Sequence, residues 1–256
     1  MDKKKKVPVI KPAPKIYKVK DVPENDKFND IHPNLPSIPS LCLLIGSVRS
    51  GKSNLLVNFF CNSDFYKGKF DTVRIISTTL NSDTKGKILN KHFDCQDHYT
   101  DSVIEDLKKE QGMYDKEDRP TFALVLDDVL TKDFSKNNAV SFFSTRFRHY
   151  IDMYIIATQS FRAVSGMIRN NATDVIIARQ QNEKELLKIC EEYGSLVGGD
   201  QNFLKLYKEI HCCKYQLMYL KLSENPAHVY RNFEEKLYPL HGEDEDEHSE
   251  EEEVVE

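Results

Sequence analysis

Six short apolar runs punctuate the middle of the chain: Ser40–Ile45 (SLCLLI), Thr72–Thr78 (TVRIIST), Phe122–Asp128 (FALVLDD), Met153–Gln159 (MYIIATQ), Asp174–Arg179 (DVIIAR) and Tyr215–Leu222 (YQLMYLKL). Most are nearly continuous in hydrophobicity rather than alternating, the pattern of strands buried on both faces. Between them lie segments with helical spacing near 52–62, 101–111, 137–149, 183–193 and 201–210. Strands alternating with helices predict an α/β domain with a mainly parallel sheet flanked by helices. The last run follows a helix and has period-2 character, so it is expected to be an edge strand.

Composition and charge bound this domain. From Met1 to Lys27 there are nine Lys against four acids, a local charge of +5, and the segment is rich in Pro. From Gly242 to Glu256 there are ten acids and no Lys or Arg. Set against the overall charge of −5, these ends leave 28–241 neutral, so net charge gives no argument for nucleic-acid binding. The expected division is a flexible basic arm over 1–31, an α/β domain over 32–241 and a disordered acidic tail over 242–256. HPNLPSIPS, from His32 to Ser40, carries three prolines and reads as an extended lead-in. MDKKKK is followed by no apolar signal core, and no apolar run is long enough to span a bilayer. The six cysteines include no C-x-x-C pair and fit reduced thiols in an intracellular protein.

The chemistry concentrates where the first apolar run ends. Gly46-Ser47-Val48-Arg49-Ser50-Gly51-Lys52-Ser53 fits G-x-x-x-x-G-K-[ST] in full, after a strand and at the opening of a helix that continues with Asn54. Such a loop turns successive backbone N–H groups toward phosphate oxygens, and the helix adds its positive N-terminal end. Lys52 is placed to reach the β- and γ-phosphates and Ser53 to hold Mg²⁺. A second metal-organising carboxylate is needed at the end of another buried strand, and FALVLDDV offers Asp127 for that role. Asp128 beside it is the candidate that orients and deprotonates an attacking water, the bland alternative being a carboxylate pair capping the next helix. Gln159 ends the next strand, where an amide could hold the lytic water or could simply terminate the strand. The chain lacks the D-x-x-G and N-K-x-D elements of a GTPase switch and any Arg-rich lid of a nucleotide kinase.

The order HPNLPSIPSLCLLIGSVRSGKSNLL, IISTTLNSDTK, ALVLDDV, FRHYIDMYIIATQSFRAV and IRNNATDVIIARQQNEKELLKICEEYG resembles the poxvirus-type DNA-packaging ATPases of large nucleocytoplasmic DNA viruses and their virophages, in the FtsK/HerA group. The resemblance covers about His32 to Leu240. It implies a RecA-like P-loop NTPase that assembles as a homo-oligomeric ring, uses ATP and Mg²⁺, and moves double-stranded DNA into a preformed capsid. The implied partners are therefore DNA and capsid or portal-like viral proteins, in the host-cell cytoplasm at the viral factory and in the virion. It places Lys52 and Ser53 in the Walker A role, Asp127 in the Walker B role and Gln159 at the sensor position. Many motors of this group carry Glu where Asp128 stands; Asp is one methylene shorter, so the attacking water must sit closer or be held through Gln159, and the identity of the catalytic base stays open. A HerA-like translocase acting in repair or segregation is the alternative reading.

Several arginines compete for the role of a finger acting in trans: Arg146 and Arg148 before the sensor strand, and Arg169 in MIRNN. Arg49, inside the phosphate loop, could act in cis; a surface or salt-bridge role is the alternative for each. Lys85, Lys87 and Lys91 form a candidate DNA contact. His92, Cys95 and His98 have the spacing H-x₂-C-x₂-H, but no fourth ligand lies nearby and the spacing matches no familiar zinc module.

Overall fold

Nine strands form one sheet, and the apolar runs of the sequence are its centre. The computed structural model describes residues 18–19, 26–80, 84–115, 117–129, 139–239 and 254–255. In chain order the sheet strands are β1 (Ser40–Ile45), β2 (Thr72–Ser77), β3 (Asp94–Gln96), β4 (Phe122–Asp127), β5 (Met153–Thr158), β6 (Asp174–Ile177), β7 (Met218–Lys221), β8 (His228–Arg231) and β9 (Glu235–Tyr238). The helices are α1 (Lys52–Cys61), α2 (Thr84–His92), α3 (Ser102–Gln111), α4 (Ala139–Ser144), α5 (Gly166–Asn171), α6 (Glu183–Tyr193) and α7 (Asp200–Ile210).

The strand order is β9-β8-β7-β6-β1-β5-β4-β2-β3. The six strands from β6 to β3 run parallel, and β7, β8 and β9 extend the sheet antiparallel beyond β6. Every residue of β1, β4 and β5 is buried, which is why these strands lack alternation. Their side chains still divide by parity. Leu41, Leu43 and Ile45 enter one core with Ile104, Leu107, Phe143, Ile189 and Phe203 from the helices on that face. Cys42 and Leu44 enter the other, against Leu55, Leu56, Phe59 and Phe60 of α1 and Leu89 of α2. Each such side chain contributes roughly 1.5–3 kcal/mol by leaving water, so α1 is clamped to the sheet by its own four apolar residues.

The expected edge strand is instead an interior one. Met218–Lys221 pairs with β6 on one side and β8 on the other, and the edge is Glu235–Tyr238. Its alternation arises from antiparallel pairing at a sheet flank rather than from exposure. The helix expected over 137–149 is described as Ala139–Ser144 followed by a 3₁₀ turn at Phe147–His149, and 137–138 lie outside the described residues. The Ser144 and Thr145 hydroxyls donate to the carbonyls of Ser141 and Phe142, a local alternative to helix continuation.

At the N-terminal side, Asp26–Phe28 forms a 3₁₀ turn; Lys27 Nζ reaches Asp71 at 2.7 Å and Phe28 packs on Phe70. The basic arm before it and the acidic tail after 241 fall outside the described residues, except for Lys18–Val19 and Val254–Val255, which pair in parallel. Among the described residues no helix is long and apolar enough to cross a membrane.

Candidate active site

Register brings the strand ends into one line. Ile45 pairs with Thr158, Ala157 with Asp127, and Asp127 with Ser77, so β1, β5, β4 and β2 terminate together along the C-terminal edge of the sheet. The phosphate loop leaves β1 there and enters α1. Arg49 and Gly51 adopt left-handed backbone angles, φ 59° and 110°, which curl the loop over the helix N-terminus.

The loop is braced from β6. Ser47 N–H donates to the Arg179 carbonyl at 3.1 Å, Ser47 Oγ donates to Gln180 Oε1 and accepts from the Gln181 N–H, and the Gln180 N–H donates to Tyr207 Oη on α7. Gly46 is required by close approach: a Cβ there would lie 2.4 Å from Ser50 Oγ and 2.7 Å from Ala178 Cβ. Gly46→Ala should therefore displace the loop, costing about 1–3 kcal/mol and weakening nucleotide binding at least about tenfold. Thermal unfolding and nucleotide titration of the same variant measure both effects.

Lys52 is buried, and its Nζ donates to the Gly46 carbonyl at 2.6 Å and the Ser47 carbonyl at 3.4 Å, spanning the loop from inside. Burial pulls its ammonium below the usual lysine value, while the Asp128 and Asp127 carboxylates push in the opposite direction. Asp127 is buried and accepts from Ser77 Oγ at 2.8 Å. Asp128, one residue beyond β4, has φ 53°, and its N–H donates to the Ala157 carbonyl. This left-handed turn sends the two neighbouring carboxylates different ways. Asp128 Oδ2 accepts from Gln159 Nε2 at 2.8 Å.

The loop, Asp128 and Gln159 line a cavity of about 1180 Å³, together with Thr79 and Lys85, and the buried Asp127 lies behind Asp128 at the end of β4. The structure thus gathers the loop, Asp127, Asp128 and Gln159 at one place. It also brings in two groups the sequence reading did not assign there. Ser77 is found only through its register opposite Asp127. Lys85, a candidate DNA contact in the sequence, lines this cavity from the start of α2; Lys87 and Lys91 are exposed elsewhere on that helix. Gly86 lets α2 approach closely, since a Cβ there would lie 2.0 Å from the Leu80 carbonyl oxygen. Ser50 Oγ is buried without a hydrogen-bond partner among the described residues.

The arginines separate by position. Asp152 pairs its backbone with Ser40 and Phe122, so Arg146 and Arg148 just before it lie at the N-terminal edge of the sheet, opposite the phosphate loop. Both are exposed. Arg169 donates to Glu192 at 3.1 Å and to the Val164 carbonyl at 2.7 Å while stacking on Phe161, which accounts for it structurally. Arg49 is exposed at the cavity. Among the described residues no group of three His, Cys, Asp or Glu could hold a metal, and Cys212 and Cys213 are free thiols with sulfurs 3.7 Å apart.

The strand order, with β5 between the phosphate-loop strand and the Asp127 strand, defines an α/β RecA-like P-loop fold. Among solved structures the chain is similar to the DNA-packaging ATPase from Sulfolobus turreted icosahedral virus, with 17% identity and a TM-score of 0.53 over 76% of this chain and 97% of that one. It is also similar to the genome packaging NTPase of Sulfolobus turreted icosahedral virus 2, in complex with sulfate (16% identity, TM-score 0.53, 75% of this chain and 95% of that one) and with AMP (15%, 0.52, 75% and 96%). At these identities the likeness establishes the fold. No family model and no curated protein matches the chain.

Proposed function

We propose that this chain is the ATPase of a viral DNA-packaging motor, hydrolysing Mg-ATP to drive double-stranded DNA into a preformed capsid. The observation that carries the ATPase reading is the convergence of Lys52, Asp127, Asp128 and Gln159 from three adjacent strand ends. The extension to packaging is supported by the sequence resemblance and by the shared fold.

In this reading the loop amides from Ser47 to Lys52 hold the phosphates, and Lys52 exchanges its carbonyl partners for β- and γ-phosphate oxygens. The Ser53 hydroxyl and the Asp127 carboxylate are hard oxygen donors of the kind Mg²⁺ takes, with Ser77 fixing Asp127 from behind. The ion, when bound, neutralises charge on the β- and γ-oxygens. Asp128 accepts the proton of a water attacking the γ-phosphorus, and the Gln159 amide fixes the orientation of that carboxylate. Lys85, on the same side of the cavity, adds positive charge near the γ-phosphate. Because Arg146 and Arg148 lie at the sheet edge opposite their own chain's phosphate loop, in this reading either would serve as an arginine finger only in trans, toward a neighbouring subunit of a ring.

Asp128→Asn should lower kcat about 100-fold or more with a small change in KM, because it removes the base and leaves binding groups in place. Gln159→Ala should lower kcat less. Steady-state phosphate release measures both, and an unchanged kcat in Asp128→Asn would remove Asp128 from the mechanism. The motor reading is tested by hydrolysis with and without double-stranded DNA. Stimulation by DNA is expected; hydrolysis indifferent to DNA at concentrations where a ring forms would leave an ATPase without a translocase role.

A further inference from the structure

The cavity is larger than a triphosphate needs, and it continues past α1 to the antiparallel side of the sheet. There it is lined by Asn34 from the lead-in and by Tyr215, Leu217 and Phe233 from the segments flanking β7 and β8. Topology orients a bound nucleotide within it. Asp127 and Asp128 end β4, and Gln159 follows β5, on one side of the phosphate-loop strand; β6, β7 and β8 lie on the other. The γ end of a triphosphate faces the groups that handle the attacking water. Its nucleoside end must then lie toward β7 and β8.

Two aromatic rings wait on that side. Tyr215 is held at φ 65°, unusual for a bulky residue, and its ring lies 3.6 Å from where a Cβ of Gly51 would be. Yet the residue is 72% exposed. Phe233 is anchored on its far side by Phe59, Phe65 and Tyr219, with ring centroids 5.1–6.0 Å away. The backbone carrying these rings is rigid: Leu217 and Asn232 exchange hydrogen bonds, with Leu217 N–H donating to Asn232 Oδ1 and Asn232 N–H to the Leu217 carbonyl. Asn34 Nδ2 donates to the Phe233 carbonyl at 2.9 Å, tying the lead-in to the same platform.

We propose that Tyr215, with Phe233, forms the nucleobase subsite, taking the planar ring of a purine nucleoside triphosphate against the exposed Tyr215 face. The antiparallel extension β7–β8 is then the part of the fold that distinguishes a nucleotide from bare polyphosphate. An exposed aromatic ring beside a phosphate loop gains apolar burial and stacking only when a flat partner covers it. The inference rests on the nucleotide-site reading above and deepens it.

The test compares ATP with inorganic tripolyphosphate, both with Mg²⁺, by calorimetric titration of the full chain, its Tyr215→Ala variant and its Tyr215→Phe variant. The expected result is tighter wild-type binding of ATP than of tripolyphosphate. Tyr215→Ala should weaken ATP about tenfold and leave tripolyphosphate within about twofold, and Tyr215→Phe should retain the wild-type preference. Equal wild-type affinity for the two ligands overturns the subsite and needs no variant to do so, while leaving the phosphate loop intact. Equal weakening of both ligands, or of neither, in Tyr215→Ala also overturns it. Failure of the wild-type chain to bind either ligand would remove the nucleotide site itself.

Discussion

Lys52→Ala should reduce ATP hydrolysis at least about 100-fold while leaving the melting temperature close to wild type. The two halves of that expectation come from different properties of one side chain. Lys52 is the cation closest to the loop carbonyls of Gly46 and Ser47, and no other described side chain takes that position. Its removal deletes the charge that would meet the β- and γ-phosphates. The same ammonium is desolvated in the free protein, so deleting it also removes a burial cost and offsets the lost hydrogen bonds. Phosphate release and a thermal melt on one preparation separate the outcomes. Hydrolysis near the wild-type rate would displace Lys52 from the mechanism, and a collapse of the melt would recast it as a structural residue. The pH dependence has a definite sign. The folded lysine value is lowered, so the protonated form that binds phosphate is lost at a pH below the usual 10.5. Nucleotide affinity should therefore fall on the alkaline side earlier than for an ordinary lysine.

Asp174→Ala should be the most destabilising single change, by about 3–5 kcal/mol, without altering the catalytic groups. Asp174 opens β6 and is fully buried. It accepts from Ser40 Oγ at 2.8 Å, Thr173 Oγ1 at 2.7 Å and Tyr219 Oη at 2.5 Å, joining the N-terminal end of β1 to β7 through one carboxyl. Alanine would leave three hydroxyls in a closed space without their acceptor and open a void. Asp174→Asn, which keeps the volume and one acceptor oxygen, should cost less. Urea unfolding of both variants gives the comparison, and equal loss in the two would show that volume rather than hydrogen bonding matters. Burial raises the Asp174 pKa despite these donors. The ionised form is thus disfavoured in the fold relative to the unfolded chain. Its cost is present above the folded value and is relieved as pH falls toward the unfolded value near 3.8. The wild-type protein should gain stability from this site on that descent, a gain that Asp174→Ala lacks.

The parallel centre of the sheet was legible because its strands are buried on both faces. Continuous apolar runs such as SLCLLI and FALVLD have no other economical arrangement in a soluble α/β fold. The phosphate loop was legible because its chemistry demands residue types at fixed spacing. The short strands at the flanks were not. Asp94–Gln96 has three partly exposed residues, and Glu235–Tyr238 is exposed or half-buried throughout, so neither has a hydrophobic pattern to detect. The place of Lys85 at the cavity was hidden for a related reason: a lysine near the start of a polar helix carries no sign of which side of the sheet edge it will face. Tyr215 was hidden inside an apparent strand, and its left-handed turn appears only when β7 is seen to begin at Met218.

The amino-acid sequence by itself determined the fold class, the strand that carries the phosphate loop and the carboxylate pair that follows another buried strand. It did so because burial periodicity and phosphate chemistry are both local properties of a few neighbouring residues. Tertiary structure alone decided which strand ends meet. It set Ser77 behind Asp127, joined Gln159 to Asp128, turned Lys85 toward the cavity and carried Arg146 and Arg148 to the opposite edge. Those relations depend on strand order and register between segments apart in the chain, 50 residues for Ser77 and Asp127 and 31 for Asp128 and Gln159, and no local pattern encodes them.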